Sequence, residues 1–458
     1  MLDDTIAAVA TPPGEGGIGI VRLSGSAAIA IAAKIFRPRR GPDFTAGSSH
    51  TLRLGVIVDP ESGETVDEVL ASIMRGPRSY TAEDVVEINC HGGALAVARV
   101  LQLLLRNGAR LAEPGEFTRR AFLNGRLDLA QAEAVLDIIR ARSNQGLTAA
   151  MGQLQGRLSQ AIKAINDLLT GTLAAIEASL DFPEDVDEIN TAQLENLRRG
   201  REEIAKLLST WETGRLLGQG IKIAIIGRPN VGKSSLLNAL LQQERAIVSQ
   251  VPGTTRDTIE AAMLLGGFAC NLVDTAGLRE TADALESIGV ARTKQAVAEA
   301  DLVLLVVDLS TGILPEDEAI LAALSTKPVL IVGNKVDLAD DGGDRLADFA
   351  GAIPRVKVSA RNGSGLDALA RQVQELITGG KAVSAGDQPI ITRARHYNAL
   401  QQGREHLEEA IAAWERGLPA DLIAIDLWAA ISSLGEITGA TAREDLVDRI
   451  FSEFCIGK

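Results

Sequence analysis

Five short motifs in a fixed order constrain this chain more than any other feature. They read Gly227-Arg-Pro-Asn-Val-Gly-Lys-Ser234, Gly253-Thr-Thr-Arg-Asp257, Asp274-Thr-Ala-Gly277, Asn334-Lys-Val-Asp337 and Ser359-Ala360. The first follows Ile221–Ile226, a run apolar apart from Lys222, of the kind a strand buried on both faces of a parallel sheet requires. A helical stretch, Ser235–Leu241, comes next. The third motif follows Leu272–Val273 and the fourth follows Val329–Val332, both apolar. Strands alternating with helices from 215 to 378 therefore predict an α/β domain with its loops gathered at one edge of a parallel sheet.

The residue types in these loops point to a guanine nucleotide. Glycines in 227–234 let backbone N–H groups approach phosphates, and the N-terminus of the following helix faces the anion. Lys233 is expected to reach the β- and γ-phosphates and Ser234 to ligate magnesium, with Asn230, Val231, Gly232 and Ser235 completing the loop. Thr255 is the expected second magnesium ligand, within a nucleotide loop of Ser249, Gln250, Val251, Pro252, Gly253 and Thr254. Asp274 sits at a strand end near magnesium, with Thr275 and Ala276 beside it, and Gly277 can move with the γ-phosphate. Asp337 selects the base, because its carboxylate accepts two N–H bonds that adenine cannot supply. Leaving it unpaired would discriminate on the order of 10³-fold. Asn334 belongs to the same loop, Lys335 would lie along the base, and the Ser359–Ala360 backbone, continued by Arg361, would contact the base carbonyl. Leu278 stands where Ras-type enzymes carry the glutamine that orients water, and leucine cannot do that. Glu286 and Arg279 are candidates for the task, although each also reads as an ordinary solvated helix charge.

The remainder of the 458 residues suits about three domains in all. Residues 1–118 read as α+β: apolar runs at Ile18–Leu23, Leu54–Val58, Val69–Met74 and Val85–Ile88 alternate with turns, and Ala94–Leu105 reads as a helix. From Leu127 helical spacing takes over, with Leu154, Leu158, Ile162, Ile165, Leu169, Leu173, Ile176 and Leu180 as one stripe of a long helix. That spacing stops at Gly214–Gly220 and resumes after Gly379–Pro389, first with Leu400, Leu407, Ile411 and Trp414, then with Ile425, Trp428 and Ile431. The expected architecture is a P-loop α/β domain, 215–378, inserted into an all-α domain made of 119–214 and 379–458, behind the α+β domain.

Charge and cysteine usage narrow the setting. A net charge of −14 argues against coating nucleic acid by charge alone. Arginine clusters at Arg119–Arg120, Arg140–Arg142 and Arg393–Arg395 read first as solvated faces. Three cysteines without metal-ligand spacing (Cys90, Cys270, Cys455) suit a reducing compartment. Apolar runs such as Leu302 to Val307 are far short of the roughly 20 residues of a membrane span, so a cytoplasmic location without membrane contact is expected. Gly14-Glu-Gly-Gly-Ile-Gly19 precedes a strand rather than opening a helix and is a turn, not a dinucleotide fingerprint.

Further stretches carry a resemblance over essentially the whole chain. They are Ala10-Thr-Pro-Pro-Gly14 with Gly17-Ile-Gly-Ile-Val-Arg22, Tyr80-Thr-Ala-Glu-Asp-Val-Val-Glu87 with His91-Gly-Gly93, and Pro114-Gly-Glu-Phe-Thr-Arg-Arg-Ala-Phe-Leu-Asn124. Leu127-Asp-Leu-Ala-Gln-Ala-Glu133 and the tail Phe454-Cys-Ile-Gly-Lys458 complete the set. Together with the nucleotide motifs they resemble the bacterial tRNA-modification GTPase family MnmE, also called TrmE. The resemblance implies a Ras-like GTPase domain and a homodimer formed through the N-terminal domains. It also implies a 5-formyltetrahydrofolate or 5,10-methylenetetrahydrofolate site at Arg22, Glu87, Arg126 and Lys458, where Arg126 replaces the family's usual lysine. Hydrolysis would depend on potassium held by Asn230, Ser249, Val251 and Thr254, with Glu286 as the catalytic glutamate and Lys233, Thr255, Asp274 and Gly277 around the phosphates. The tail, Cys455 included, would be functional. The implied reaction adds an aminomethyl or carboxymethylaminomethyl group to carbon 5 of the wobble uridine of certain tRNAs. A separate flavin- and NADH-dependent partner protein (MnmG/GidA-like) would share the work. Two other readings stay open: a GTP-dependent assembly or ribosome-maturation switch without modification chemistry, and a folate-dependent one-carbon enzyme regulated by GTP.

Overall fold

Two β-sheets and the helices around them organise the chain. The computed structural model describes residues 4–181, 191–243, 262–273, 295–324, 327–339, 343–378 and 388–458. These residues form two compact units. One comprises Met1–Leu136, Ile162–Asn166 and Trp428–Lys458; the other comprises Asp137–Ala161 and Asp167–Leu427.

The first unit is built on a seven-stranded sheet of β1 (Ile6–Val9), β2 (Gly16–Ser24), β3 (Phe36–Pro38), β4 (Thr51–Val58), β5 (Thr65–Met74), β6 (Val85–Gly92) and β7 (Arg110–Leu111), in the order β3-β4-β5-β6-β2-β1-β7. Alternation sorts its two faces. Val21, Leu23, Ile57, Val69, Ala71, Ile73, Val86 and Ile88 point inward onto α1 (Ala28–Ile35) and α2 (Ala94–Arg106). Each Val, Leu and Ile among them contributes roughly 1.5–3 kcal/mol by leaving water. The opposite face carries Leu52, Leu54 and Leu70, which stay 63%, 50% and 40% exposed. The register Ser72↔Glu87↔Arg22 places the last two residues on that same face.

Short helices α3 (Glu116–Leu123) and α4 (Leu129–Arg140) follow. Arg120 lies inside this unit, 1% exposed, and bonds to Asp4, Glu83 and Glu116. This arginine, read from sequence as part of a solvated face, is an internal ion-pair anchor. Leu129, Ala132 and Leu136 share a core with Val447, Ile450, Phe451 and Phe454, on and just beyond α15 (Glu444–Ser452). Intervening helices are α5 (Asn144–Leu154), α6 (Arg157–Asp181), α7 (Thr191–Leu208), α8 (Trp211–Gln219), α9 (Lys233–Gln243), α10 (Pro315–Ala322), α11 (Gly343–Ala350), α12 (Leu366–Thr378), α13 (Ala394–Glu415) and α14 (Ala420–Thr438).

In the second unit a six-stranded sheet runs β13-β12-β11-β8-β10-β9. Its strands are β8 (Ile221–Ile226), β9 (Ala262–Leu265), β10 (Phe268–Val273), β11 (Leu302–Asp308), β12 (Val329–Asn334) and β13 (Arg355–Lys357). All neighbours are parallel except β9 with β10. Leu302, Leu304 and Val306 enter the core on one face while Val303, Leu305 and Val307 enter the core on the other, which is why β11 reads as an unbroken apolar run. Helices from both sides of this α/β segment pack together: α7 lies on α13, with Gly200 placing the backbone close to Leu169 and Leu407. The fold is thus an α+β domain, a helical domain, and a P-loop α/β domain inserted into the helical one.

Four sequence expectations change. The stripe from Leu154 to Leu180 is not one helix, because Gly156 adopts a φ of 83° and separates α5 from α6. Gly214–Gly220 does not end helical structure; α8 runs through it to Gln219. A Cβ on Gly214 would stand 2.0 Å from the Ile391 carbonyl, so the glycine serves close packing rather than a break. On α14 the buried residues are Ile423, Leu427, Ala430, Leu434 and Ile437, whereas Ile425 and Trp428 are 64% and 61% exposed. The expected boundaries at 118/119 and 214/215 fall inside α3 and α8.

Candidate functional site

Every described loop of the nucleotide site leaves the carboxyl end of a strand in the parallel part of the sheet, where α/β folds bind ligands. β8 leads into the phosphate loop and then α9. Gly227 (φ 148°) lies so close to β11 that a Cβ would meet the Val306 carbonyl at 2.3 Å. Gly232 (φ 94°) packs against Asn334, whose Nδ2 would stand 2.3 Å from an added Cβ. Its carbonyl accepts the Leu236 N–H, so the open end of α9 faces the loop. Asn230 holds a left-handed φ of 64° at the loop crest and is exposed, as are Ser234 and Ser235 in the first turn of α9.

Lys233 is half-buried, and its Nζ donates to the carbonyls of Gly227 and Arg228 at 2.9 and 2.8 Å. Burial draws the pKa of this ammonium below the usual lysine value. An ammonium has three donors, and among the described residues these two bonds leave one for an anion at the mouth of the loop. Asn334 works as a strut: Nδ2 donates to the Val231 carbonyl at 2.9 Å, and Oδ1 accepts the Ala360 N–H at 3.0 Å. Lys335, at φ 63°, donates to the Asn230 carbonyl at 2.9 Å and pairs with Asp308 at 2.6 Å. Asp337 stands exposed in the turn Val336–Leu338, while Ser359 is fully buried and accepts the Asn362 N–H. Arg361 is exposed beside Ala360. Residues of the first, fourth and fifth motifs are thus brought together, and the Ala360 N–H, expected on the base carbonyl, here meets Asn334. Ser249, Gln250, Val251, Pro252, Gly253, Thr254, Thr255, Asp274, Thr275, Ala276, Gly277 and Glu286 lie outside the described residues.

A second constellation forms in the other unit. Arg22 on β2 pairs across the ladder with Glu87 on β6, Nε and Nη2 each 2.8 Å from Oε1, and its Nη1 donates to the Gly457 carbonyl at 3.3 Å. The guanidinium also lies over Tyr80 and Phe117, 5.6 and 5.7 Å from the ring centroids. Arg126 lies over the same Tyr80 ring at 5.2 Å. The Tyr80 hydroxyl shares a 2.9 Å hydrogen bond with Thr118, and burial pushes this phenol's pKa up.

The tail that reads from sequence as a loose end is docked into this cluster. Ile456 bridges Pro114, and Gly457 (φ 95°) lies so close to β1 that a Cβ would meet the Val9 carbonyl at 2.2 Å. Burial, and then the Arg22 charge, lower the Lys458 pKa, and Glu87 and Cys455 are near enough to oppose that. Cys455 is exposed, whereas Cys90 and Cys270 are buried. Arg22 and Arg126 share the Tyr80 ring, Glu87 pairs with Arg22, and Lys458, more than 300 residues further along the chain, feels the charges of Arg22 and Glu87. Sequence reasoning had assigned no role to Tyr80 or Thr118. Their only signal was membership of the Tyr80–Glu87 and Pro114–Asn124 stretches.

Comparison with known proteins agrees along the whole chain. Residues 129–455 match the MnmE helical domain, and residues 5–126 match the N-terminus of the GTP-binding protein TrmE. This chain belongs to the MnmE family of GTPases. It is 69% identical over 462 residues to the tRNA modification GTPase MnmE of Moorella thermoacetica, covering 100% of both chains. The Symbiobacterium thermophilum and Heliobacterium modesticaldum proteins of the same name are 50% and 49% identical, again over 100% of each chain. The phosphate loop and the Tyr80 cluster therefore both sit in a chain matched from end to end. Among the described residues no helix is long and apolar enough to cross a membrane.

Proposed function

We propose that this chain hydrolyses GTP to drive modification of carbon 5 of the wobble uridine in certain tRNAs, as a cytoplasmic homodimer working with a flavin- and NADH-dependent partner. End-to-end identity to proteins named tRNA modification GTPase supports the tRNA substrate. The observation that carries the rest is the docking of the carboxyl-terminal tail, with Lys458, into the Arg22–Glu87–Tyr80 cluster. The cluster's donor set suits a tetrahydrofolate derivative: cationic Arg22, Arg126 and Lys458 for carboxylates, an aromatic ring, and Glu87 as acceptor for ring N–H groups. The apolar face of Leu52, Leu54 and Leu70 on the same sheet supports pairing of two N-terminal domains.

In the nucleotide site, Lys233 and the open end of α9 bind the β- and γ-phosphates. Asp337 and the Asn334–Ala360 strut orient the guanine. The exposed Ser234 hydroxyl is a hard oxygen donor suited to magnesium, with Thr255 as its partner ligand. Potassium would be held by Asn230 with Ser249, Val251 and Thr254. Bound there, the two cations neutralise charge that develops on the transferred phosphoryl group. Glu286 orients the attacking water, and Asp274 and Gly277 respond to the γ-phosphate.

Removing residues 455–458 tests the reading. GTP hydrolysis is expected to persist while wobble-uridine modification, read by nucleoside mass spectrometry, disappears; unchanged modification overturns it. Replacing potassium by sodium is expected to slow hydrolysis, and equal rates remove potassium from the mechanism.

A further inference from the structure

Arg228, the second residue of the phosphate loop, is tied to a helix outside the nucleotide motifs. Its Nε donates to Asp317 Oδ1 at 2.8 Å, and Asp317 is fully buried. The other carboxylate oxygen accepts the Leu314 N–H at 3.0 Å, closing the first turn of α10 around Pro315. Both oxygens are therefore committed, and Asp317 cannot follow Arg228 if the loop moves. The carbonyl of this same Arg228 is one of the two that hold the Lys233 ammonium. An unbroken path runs from α10 through the Arg228 side chain and backbone to the lysine that meets the phosphates.

A second tie runs in parallel. Lys335 joins the Asn230 carbonyl to Asp308, at the end of the strand that precedes α10. The segment 308–317 thus fastens the phosphate loop at two points, Arg228 and Asn230. Positive φ at Asn230 and Gly232 gives the loop a shape that is costly for most residues. Glycine and asparagine enter it at low cost, so the ties select this shape among the others open to the loop.

We propose that the Arg228–Asp317 ion pair is a positioning element of the nucleotide site. It raises affinity by holding the phosphate loop in its binding shape before the nucleotide arrives. Neither residue touches the nucleotide; the pair acts through the Arg228 carbonyl and Lys233. A buried pair that only stabilised the domain would be replaceable by neutral groups without loss of binding.

That difference is the test. Full-length protein carrying Arg228→Met with Asp317→Asn removes both charges, and the asparagine oxygen can still accept the Leu314 N–H. Thermal unfolding close to wild type, with a fluorescent GDP analogue bound about tenfold more weakly, supports the positioning role. Wild-type GDP affinity in the double variant overturns it. Should the double variant fail to fold, Arg228→Lys keeps the charge opposite Asp317 and loses the Nε–H that donates to Oδ1. It is expected to bind GDP about threefold more weakly at nearly unchanged unfolding temperature, and unchanged affinity there overturns the proposal equally.

Discussion

The nucleotide site and the Tyr80 cluster place their groups in opposite ways. In the first, contiguous motifs leave the ends of adjacent parallel strands, and backbone atoms do much of the holding: Gly227 and Arg228 carbonyls on Lys233, the Val231 carbonyl and the Ala360 N–H on Asn334. In the second, side chains from residues 22, 80, 87, 126 and 458 meet because a sheet, a loop and the chain's end converge. Backbone-built sites leave a local signature, since glycine positions and strand ends are local properties. Side-chain-built sites leave almost none. The first kind tolerates few loop substitutions, while the second spreads its affinity over several groups.

Substitutions can break or sharpen that contrast. The largest effect is expected at Lys233. Lys233→Ala removes the phosphate-facing ammonium, and GTP hydrolysis, followed by phosphate release, should fall by about 10³-fold. Binding of 5-formyltetrahydrofolate to the same protein should not change; a parallel loss would mean that the two sites are not independent. Asp337→Asn comes next. An amide presents a donor where the carboxylate accepted two N–H groups, so GTP affinity should drop on the order of 10²-fold with a gain for xanthosine triphosphate. Competition against a fluorescent nucleotide measures both.

In the Tyr80 cluster single changes should act more gently. Tyr80→Leu removes the ring shared by Arg22 and Arg126, and folate affinity by calorimetry should fall about tenfold with GTP turnover unaffected. Wild-type folate binding would remove Tyr80 from the site. The smallest effect concerns pH. Because burial and Arg22 lower the Lys458 pKa below 10.5 in the free protein, the ammonium is lost earlier than usual as pH rises. A bound carboxylate favours the charged form and raises that pKa. Folate affinity should therefore be complete below the free-state pKa and decline a few-fold as pH climbs through it. Lys458→Met should flatten this slope.

Much of the fold was legible before any coordinate. Unbroken apolar runs identified β11 and β12, and a run broken only by Lys222 identified β8, since strands buried on both faces cannot alternate. The change from period two to helical spacing separated the α+β segment from the helices. Misreadings share one cause, that a glycine, an apolar stripe or an arginine has different meanings according to what packs beside it. Gly214 looks like a break and is a contact point for the Ile391 backbone. Ile425 and Trp428 look like a core stripe, yet the neighbouring stripe of Ile423, Leu427 and Leu434 is the buried one. Arg120 looks like surface and is an internal anchor, because its partners Asp4, Glu83 and Glu116 are recruited from three places in the chain.

Sequence alone therefore determined the nucleotide, the parallel sheet that presents it and the insertion of that sheet among helices. Each rests on spacing along a few neighbouring residues, and local geometry carries that information faithfully. Only the tertiary structure decided which cations share the Tyr80 ring, that the last four residues are docked rather than loose, and that Arg228 is anchored to Asp317. These are meetings between segments far apart in the chain, and their energies depend on burial and on partner charge, neither of which a linear pattern encodes.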